Sequence, residues 1–491
     1  MIRRTRAEHT PARQRARVAA AVVAMTGIGC LTWPGAAHAA PGPAQASRSD
    51  FNNDIFDDLI VGVPDASSAA GQVSILPGSV SGPSANGRKV ITQSGSVPGS
   101  PETGDRFGAD VAYGDVDGDG LTDLAVGSPG EADSVFKERG NVTVLTGSSQ
   151  LTQGDYFTTA DDDPRNPGKA RLGTAVAMGD ITGDGLDDVV GVGLGSAGSG
   201  GWLVWRDSAT KKATTLRLTF EDLNHVDVAA GDFNGDGFDD VAVTTVDRYN
   251  QARAYEYQST GAAGLTHAMA IQMGVGRSIA AGDINQDGRG DIVIGQPAPA
   301  EAAPAYGGTT GGQVTVKLGQ DYGLYYRGHT TTISQRTPNV PGEAVDGDAM
   351  GTSVALRDLN SDNTLDIITG LPGKDSTANG ATSTDAGSVL LLNLATTANG
   401  ITLKNATGLS QGTGGINALR KAENAPVLRL FQRPGDTTLY RVNPRFFFAQ
   451  NPELAQLAID APDVLPDARA GRPRRASPAD AQRRRQVRSV S

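Results

Sequence analysis

Six stretches of this sequence set carboxylates and carboxamides at alternate positions, a spacing that gathers hard oxygen ligands around one divalent cation. The clearest copy runs Asp115-Val116-Asp117-Gly118-Asp119-Gly120-Leu121-Thr122-Asp123. Side-chain oxygens fall at loop positions 1, 3, 5 and 9, and position 7 offers a backbone carbonyl. The six sets are Asp50, Asn52, Asp54 and Asp58; Asp115, Asp117, Asp119 and Asp123; Asp180, Thr182, Asp184 and Asp188; Asp232, Asn234, Asp236 and Asp240; Asp283, Asn285, Asp287 and Asp291; and Asp358, Asn360, Asp362 and Asp366. Calcium takes about six to eight such oxygens in a flexible shell, so Ca2+ is the expected ion.

A tight cation loop needs a sharp turn, and glycine at position 6 supplies it. Gly120, Gly185, Gly237 and Gly288 meet that need. Asn363 tolerates a left-handed backbone there, whereas Ile55 does so poorly. Thr182 is a weaker ligand than Asp or Asn, so the loops at 50 and 180 are the least regular. The pattern is not an EF-hand. That motif carries glutamate at position 12, where the copy at Asp115 has Val126. A surface turn rich in Asp and Gly explains any single copy; six copies with one ligand order point to metal.

The elements that position these loops also repeat. Successive loops start 65, 65, 52, 51 and 75 residues apart. The mean of about 62 exceeds the roughly 40–45 residues of a minimal four-stranded blade, and long loops on one rim would take up the surplus. A small-residue run such as 109–113 precedes the loop. An aliphatic run follows it: Leu59-Ile60-Val61, Val189-Val190, Val241-Ala242-Val243, Ile292-Val293-Ile294, Ile367-Ile368. These short runs bounded by glycine read as buried strands. A later alternating run, as in Gly140-Asn141-Val142-Thr143-Val144 and Gly312-Gln313-Val314-Thr315-Val316, reads as a half-exposed outer strand. Repeated sheets of this kind predict an all-β β-propeller. A linear β-solenoid is the alternative, though its period is usually shorter.

Composition agrees. Of 491 residues, 38% are hydrophobic, with 64 glycines and 26 prolines, which suits short strands and tight turns rather than a helical bundle. The regular apolar runs weigh against disorder. Residues 1–39 and 431–491 each carry a net +5, so the overall −11 leaves −21 on residues 40–430. That acidic body repels nucleic-acid phosphates and anionic membranes and calls for bound cations. Residues 1–39 read as a secretory signal: arginines from Arg3 to Arg17, an apolar run from Val18 to Leu31, and Ala37-His38-Ala39 as cleavage site. No later run is long and apolar enough to anchor the chain, so release from the cell is expected. A lipid anchor through Cys30 is the alternative. Cys30 is the only cysteine, so no internal disulfide forms. Residues 431–491, rich in Arg, Pro and Ala, read as a disordered basic extension or as a shifted reading frame.

With these residues in place, the chain resembles the FG-GAP repeat proteins, whose best known members are the integrin α propellers. Asp105-Arg106-Phe107-Gly108, the loop 115–123 and Gly127-Ser128-Pro129 match one whole repeat. Its end recurs in Gly62-Val63-Pro64, Gly295-Gln296-Pro297 and Gly370-Leu371-Pro372, and its start is altered to Leu172-Gly173 and Met350-Gly351. The resemblance spans about residues 50–395 and implies a seven-bladed propeller with calcium loops on one rim. Only six loops are present, so residues 412–419 would close the ring, or a seventh blade has lost its loop. The propeller is assigned to residues 40–430.

Three further motifs compete with that reading. Arg289-Gly290-Asp291 spells an integrin-recognition tripeptide, but Asp291 is also position 9 of a loop. Gly408-Leu409-Ser410-Gln411-Gly412 matches a hydrolase nucleophile elbow, which works only between a strand and a helix. Trp202 and Trp205 could stack on a sugar or peptide, or pack a strand. The expected function is therefore a secreted calcium-binding propeller that binds an extracellular protein or glycan, not nucleic acid, with a monomer as the working expectation. The alternative is an extracellular esterase or phosphodiesterase on a propeller scaffold.

Overall fold

The computed structural model describes residues 49–410 except 55, 80–82, 85, 134–135, 148–150, 152, 160–168, 197, 199, 267–269, 298–308, 326–329, 361, 379–380 and 398–399. The signal at 1–39, Cys30, residues 412–419 and the tail 431–491 lie outside the described residues, as does Ile55.

The described chain is nearly all β. It forms six antiparallel sheets of three or four strands in sequence order, the propeller blades expected from the repeat. The first contains β1 (Leu59–Gly62), β2 (Val73–Leu76) and β3 (Lys89–Ile91). The second contains β4 (Val111–Gly114), β5 (Asp123–Ser128), β6 (Asn141–Leu145) and β7 (Gly154–Phe157). The third contains β8 (Ala175–Gly179), β9 (Asp188–Gly193), β10 (Trp202–Arg206) and β11 (Ala213–Arg217). The fourth contains β12 (Leu223–Gly231), β13 (Asp240–Asp247), β14 (Ala252–Tyr257) and β15 (Ala270–Gly274). The fifth contains β16 (Ser278–Gly282), β17 (Asp291–Gln296), β18 (Gln313–Lys317) and β19 (Thr330–Ser334). In the sixth, β20 (Val354–Arg357) and β21 (Asp366–Leu371) are followed by a small hairpin, β22 (Ser376–Ala378) and β23 (Ala381–Ser383), then β24 (Ser388–Thr397) and β25 (Gly400–Ser410).

Leading strands β4, β8, β12, β16 and β20 neighbour one another in turn. The row curls back on itself: Arg357 of β20 donates to the Tyr113 hydroxyl of β4 at 2.6 Å, across four sheets of sequence. In the second to sixth sheets the aliphatic run after the loop forms the second strand, and in the first sheet it forms β1; every residue of β5, β9 and β13 is buried. The alternating run was expected at the outer edge. It instead lies third, and in β6 all five residues are buried, Asn141 and Thr143 included. The exposed fourth strands, such as β7 and β11, have short polar sequences that carry little strand signal.

The repeat's glycines have a packing reason. Phe107, Leu172 and Met350 are fully buried, and each donates its backbone N–H to the preceding blade, at Ala70, Arg139 and Gly311. The altered starts thus keep a large apolar plug. The glycine after each plug has a left-handed backbone, φ +83° at Gly108, +86° at Gly173 and +86° at Gly351. Their carbonyls face Gly62, Gly127 and Gly295 of the preceding blade so closely that a Cβ would sit 2.0–2.1 Å from oxygen. We expect Gly127→Ala to lower stability by about 3 kcal/mol, because two backbones cannot separate without opening the blade interface. The shift in urea midpoint measures it. Gly95→Ala, where a Cβ meets nothing within 4 Å, shows the backbone penalty alone.

Candidate metal loops

Five of the loops are the hairpin between the first and second strands of a blade, and the loop at 50 leads into β1, the first described strand of its sheet. Asp123, Asp188, Asp240, Asp291 and Asp366 at position 9 begin β5, β9, β13, β17 and β21, and Asp58 directly precedes β1. The wrap is the same throughout. The position-1 carboxylate accepts N–H bonds from positions 4 to 6: Asp115 from Gly118 and Gly120 at 2.7 and 3.0 Å, Asp232 from Gly235 and Gly237 at 2.7 and 2.9 Å. The loops starting at Asp50, Asp180, Asp283 and Asp358 follow suit. The position-5 carboxylate accepts from position 7, at 2.8–3.0 Å in Asp54, Asp119, Asp184, Asp236, Asp287 and Asp362. At position 3, Asn52, Asn234 and Asn285 accept from position 5 and return an amide N–H to its carboxylate. Asn360 sends its amide to Asp366 instead, at 3.1 Å.

Asn363 adopts φ +66°, the left-handed turn expected of it. Position 4 is left-handed as well, at Asn53, Gly118, Gly183, Gly235 and Gln286. The residue types there, mostly Gly and Asn, were the unread signal.

Position 9 has a second role that the ligand spacing did not reveal. Its two carboxylate oxygens staple the blade. One accepts the N–H of position 2, from Phe51, Val116, Ile284 and Leu359 at 2.7–3.2 Å; the loop at 180 departs, with Thr182 donating to Asp188, and so does the loop at 232, where that oxygen of Asp240 has no partner among the described residues. The other accepts an N–H from just beyond the third strand at Ser208, Ser259 and Gly319, or from Leu394 at the register shift within β24, at 2.7–2.8 Å. Burial pushes Asp58, Asp123 and Asp188 up to about 6, Asp291 to about 7 and Asp240 to about 9, and raises Asp366.

Two observations test whether these residues fit a cation. Oxygens of Asp115, Asp117 and Asp123 lie within 4.8 Å of one another, a spacing one divalent ion can bridge. In the loop at 232, the second buried oxygen of Asp240 has no hydrogen-bond partner among the described residues, so it offers a lone pair with nothing to accept. Both suit an oxygen-bound cation.

Neighbouring loops are tied into a rim. Asp187, Asp239 and Gly290 at position 8 donate N–H to the position-1 carbonyls of Asp115, Asp180 and Asp232, at 2.8, 2.8 and 2.6 Å. Thr122 reaches the Asp50 carbonyl through its hydroxyl at 3.2 Å. The carboxylates of Asp187 and Asp239 accept the N–H of Asp115 and Asp180 in return, at 2.8 and 3.0 Å. Acidic position 8 is visible in Leu186-Asp187-Asp188 and Phe238-Asp239-Asp240, but adjacency alone does not tell a ligand from a bridge.

Two further carboxylates sit on the leading edge of the blades, Asp110 directly before β4 and Asp227 within β12. Asp110 accepts the N–H of Val176 and Asp227 that of Ile279, each on the next blade, at 2.8 and 3.1 Å. Burial raises Asp110 to about 7; burial, then the like charge of Asp110, raises Asp227 to about 8. An acid whose folded value is raised binds more protons folded than unfolded, so stability falls as pH rises through that value. In excess calcium, melting should therefore be higher at about pH 6 than at about pH 9. Asp227→Asn should narrow the gap; an unchanged gap counts against these two groups.

The competing motifs resolve toward structure. Asp291 is fully buried on Ile284 and Gly319, so the Arg289–Asp291 tripeptide does not present its carboxylate. Gly408–Ser410 lie inside β25, paired with β24, not at a strand–helix turn; Gln411 and Gly412 lie outside the described residues. Trp202 and Trp205 are buried in β10. No described helix is long and apolar enough to cross a membrane.

Comparison with known families places this geometry. The FG-GAP-like repeat profile matches residues 180–243 and 232–294, and the FG-GAP repeat profile matches 107–145 and 275–316. Integrin alpha pat-2 of Caenorhabditis elegans is 30% identical over 260 residues, 49% of this chain and 20% of that protein. Integrin alpha-V of Gallus gallus is 30% identical over 149 residues, 28% of this chain and 12% of that protein. Phosphatidylinositol-glycan-specific phospholipase D of Rattus norvegicus is 31% identical over 150 residues, 29% of this chain and 17% of that protein. The matched region thus spans a fifth or less of each relative's length.

Proposed function

Because this chain is an FG-GAP repeat protein with integrin α-like blades, we propose that it is a secreted, calcium-stabilised propeller that binds an extracellular protein or glycan. The observation that carries the metal half is the convergence of Asp115, Asp117 and Asp123 in a loop whose wrap is repeated along the chain. Calcium is structural in this reading. It neutralises clustered carboxylates and holds hairpins that are already joined along one rim, so that the loops of a rigid ring can present a surface. The integrin relatives support binding as the output.

Capture tests it. Purified protein is passed over immobilised cell-wall and matrix polymers with calcium, then with chelator. We expect retention in calcium and release by chelator; no chelator-sensitive partner overturns the proposal. The likeness to a phospholipase D favours one second reading, a hydrolase. Esterase and phosphodiesterase activity in the wild type that Ser410→Ala abolishes would support it, although Ser410 sits within a strand.

A further inference from the structure

A cleft of about 370 Å³ opens on one face of the fifth sheet, outside the metal loops. The strand period of two sends Ile294 and Gln296 of β17, Gln313, Thr315 and Lys317 of β18, and Thr330 and Thr332 of β19 to that face. Cross-strand pairing sets Gln296 beside Gln313, Thr315 beside Thr332 and Lys317 beside Thr330. The opposite face of the same strands is apolar, with Val293, Val314, Val316 and Ile333 in the core. A wall of amides and hydroxyls therefore replaces the hydrophobic packing that the sheet uses elsewhere.

The amides are oriented. Gln296 donates its Nε2 to the carbonyl of Val275 at 2.9 Å, which can only accept. Its Oε1 must then face inward, where it accepts from the Gln313 amide and, at 3.1 Å, from the Thr315 hydroxyl. This fixes Gln313 with its own Oε1 turned away from Gln296. Gln313 is 3% exposed, yet that oxygen has no partner among the described residues. It is a buried acceptor awaiting a donor. Thr330 and Thr332 are exposed and form the mouth, and Gln313 lines the inner wall with its oxygen buried behind it.

We propose that this cleft binds one or two residues of a neutral carbohydrate, with a sugar hydroxyl donating to Gln313 Oε1 and others meeting Thr315 and Thr332. The proposal deepens the binding reading by naming a glycan and a site. A sugar supplies the dense donor–acceptor pattern this wall demands, and the volume lies in the ordinary range for small-ligand sites. Lys317 is electrostatically coupled to the buried Glu256, so its charge is partly engaged within the protein.

Saturation-transfer NMR on the full calcium-loaded chain tests the site. The probes are free glucose, galactose, mannose, N-acetylglucosamine, maltose and lactose, with glucuronate and a neutral tetrapeptide for comparison. At least one neutral sugar should bind saturably, and glucuronate and the peptide should not. Gln313→Met and Thr332→Val should each weaken that binding about five- to tenfold. Thr332 is exposed, so its variant keeps the fold if Gln313→Met does not. No saturable neutral sugar, sugar binding indifferent to both variants, or preference for the acid or the peptide overturns the cleft. Polymer capture that survives in both variants overturns this site while leaving the binding module standing; failure of capture by the wild type sinks the module itself.

Discussion

Calcium added to chelator-stripped protein should raise the melting temperature by about 10 °C, saturating in the millimolar range. Extracellular calcium modules bind at about 10⁻⁴ to 10⁻³ M. At about tenfold over a millimolar Kd, each site adds about 1.4 kcal/mol to the folded state, so six sites add about 8. The unfolding entropy is about 2 cal/mol/K per residue, which over the roughly 320 described residues turns that into slightly more than ~10 °C. Magnesium should do much less, because it dehydrates reluctantly and demands a tighter octahedron. Asp115→Ala with Asp117→Ala should remove about one sixth of the calcium increment, as the sites are separate hairpins. Superimposable melting curves with and without calcium would overturn the metal assignment for all six loops together.

That expectation was readable from spacing because the loops are local. A ligand set of nine consecutive residues needs no knowledge of the rest of the chain. The second strands were legible for a related reason: burial on both faces demands an unbroken apolar run, as in Ile292-Val293-Ile294. The blade's third strand misled because polar residues at every second place read as solvent-facing. Asn141 and Thr143 are instead buried. The fourth strands, such as Gly154–Phe157, are stabilised by pairing to a finished sheet and leave little trace in their own residues. Contacts between blades were invisible for a different reason. The fit of Gly127 against Gly173 joins residues 46 apart that share nothing but small size, and only the assembled interface gives them meaning.

Position 9 shows where a correct residue was assigned an incomplete role, and it yields the second large effect. Asp291 looks like one ligand among four. In the fold it is the most constrained of its set, because both oxygens hold buried backbone N–H groups, from Ile284 at 2.9 Å and Gly319 at 2.8 Å. Asp291→Ala deletes two charge-assisted bonds and strands two donors away from water, a loss of about 3–5 kcal/mol. Much of that loss should persist in chelator, since the staple needs no ion. Asp287→Ala at position 5 is the contrast: Asp287 is exposed, accepts from the Arg289 N–H and the Asn285 amide of its own loop, and should show its deficit mainly in calcium. Asp291→Asn keeps one acceptor and should recover about half of the alanine loss. Chemical unfolding of the three variants, with calcium and with chelator, separates the roles. If the Asp291→Ala deficit vanishes in chelator, the carboxylate is a ligand alone and the blade is closed by something else. If it persists, the staple holds the hairpin without an ion, and the hairpin brings the remaining carboxylates close enough for a bound cation to relieve their mutual repulsion.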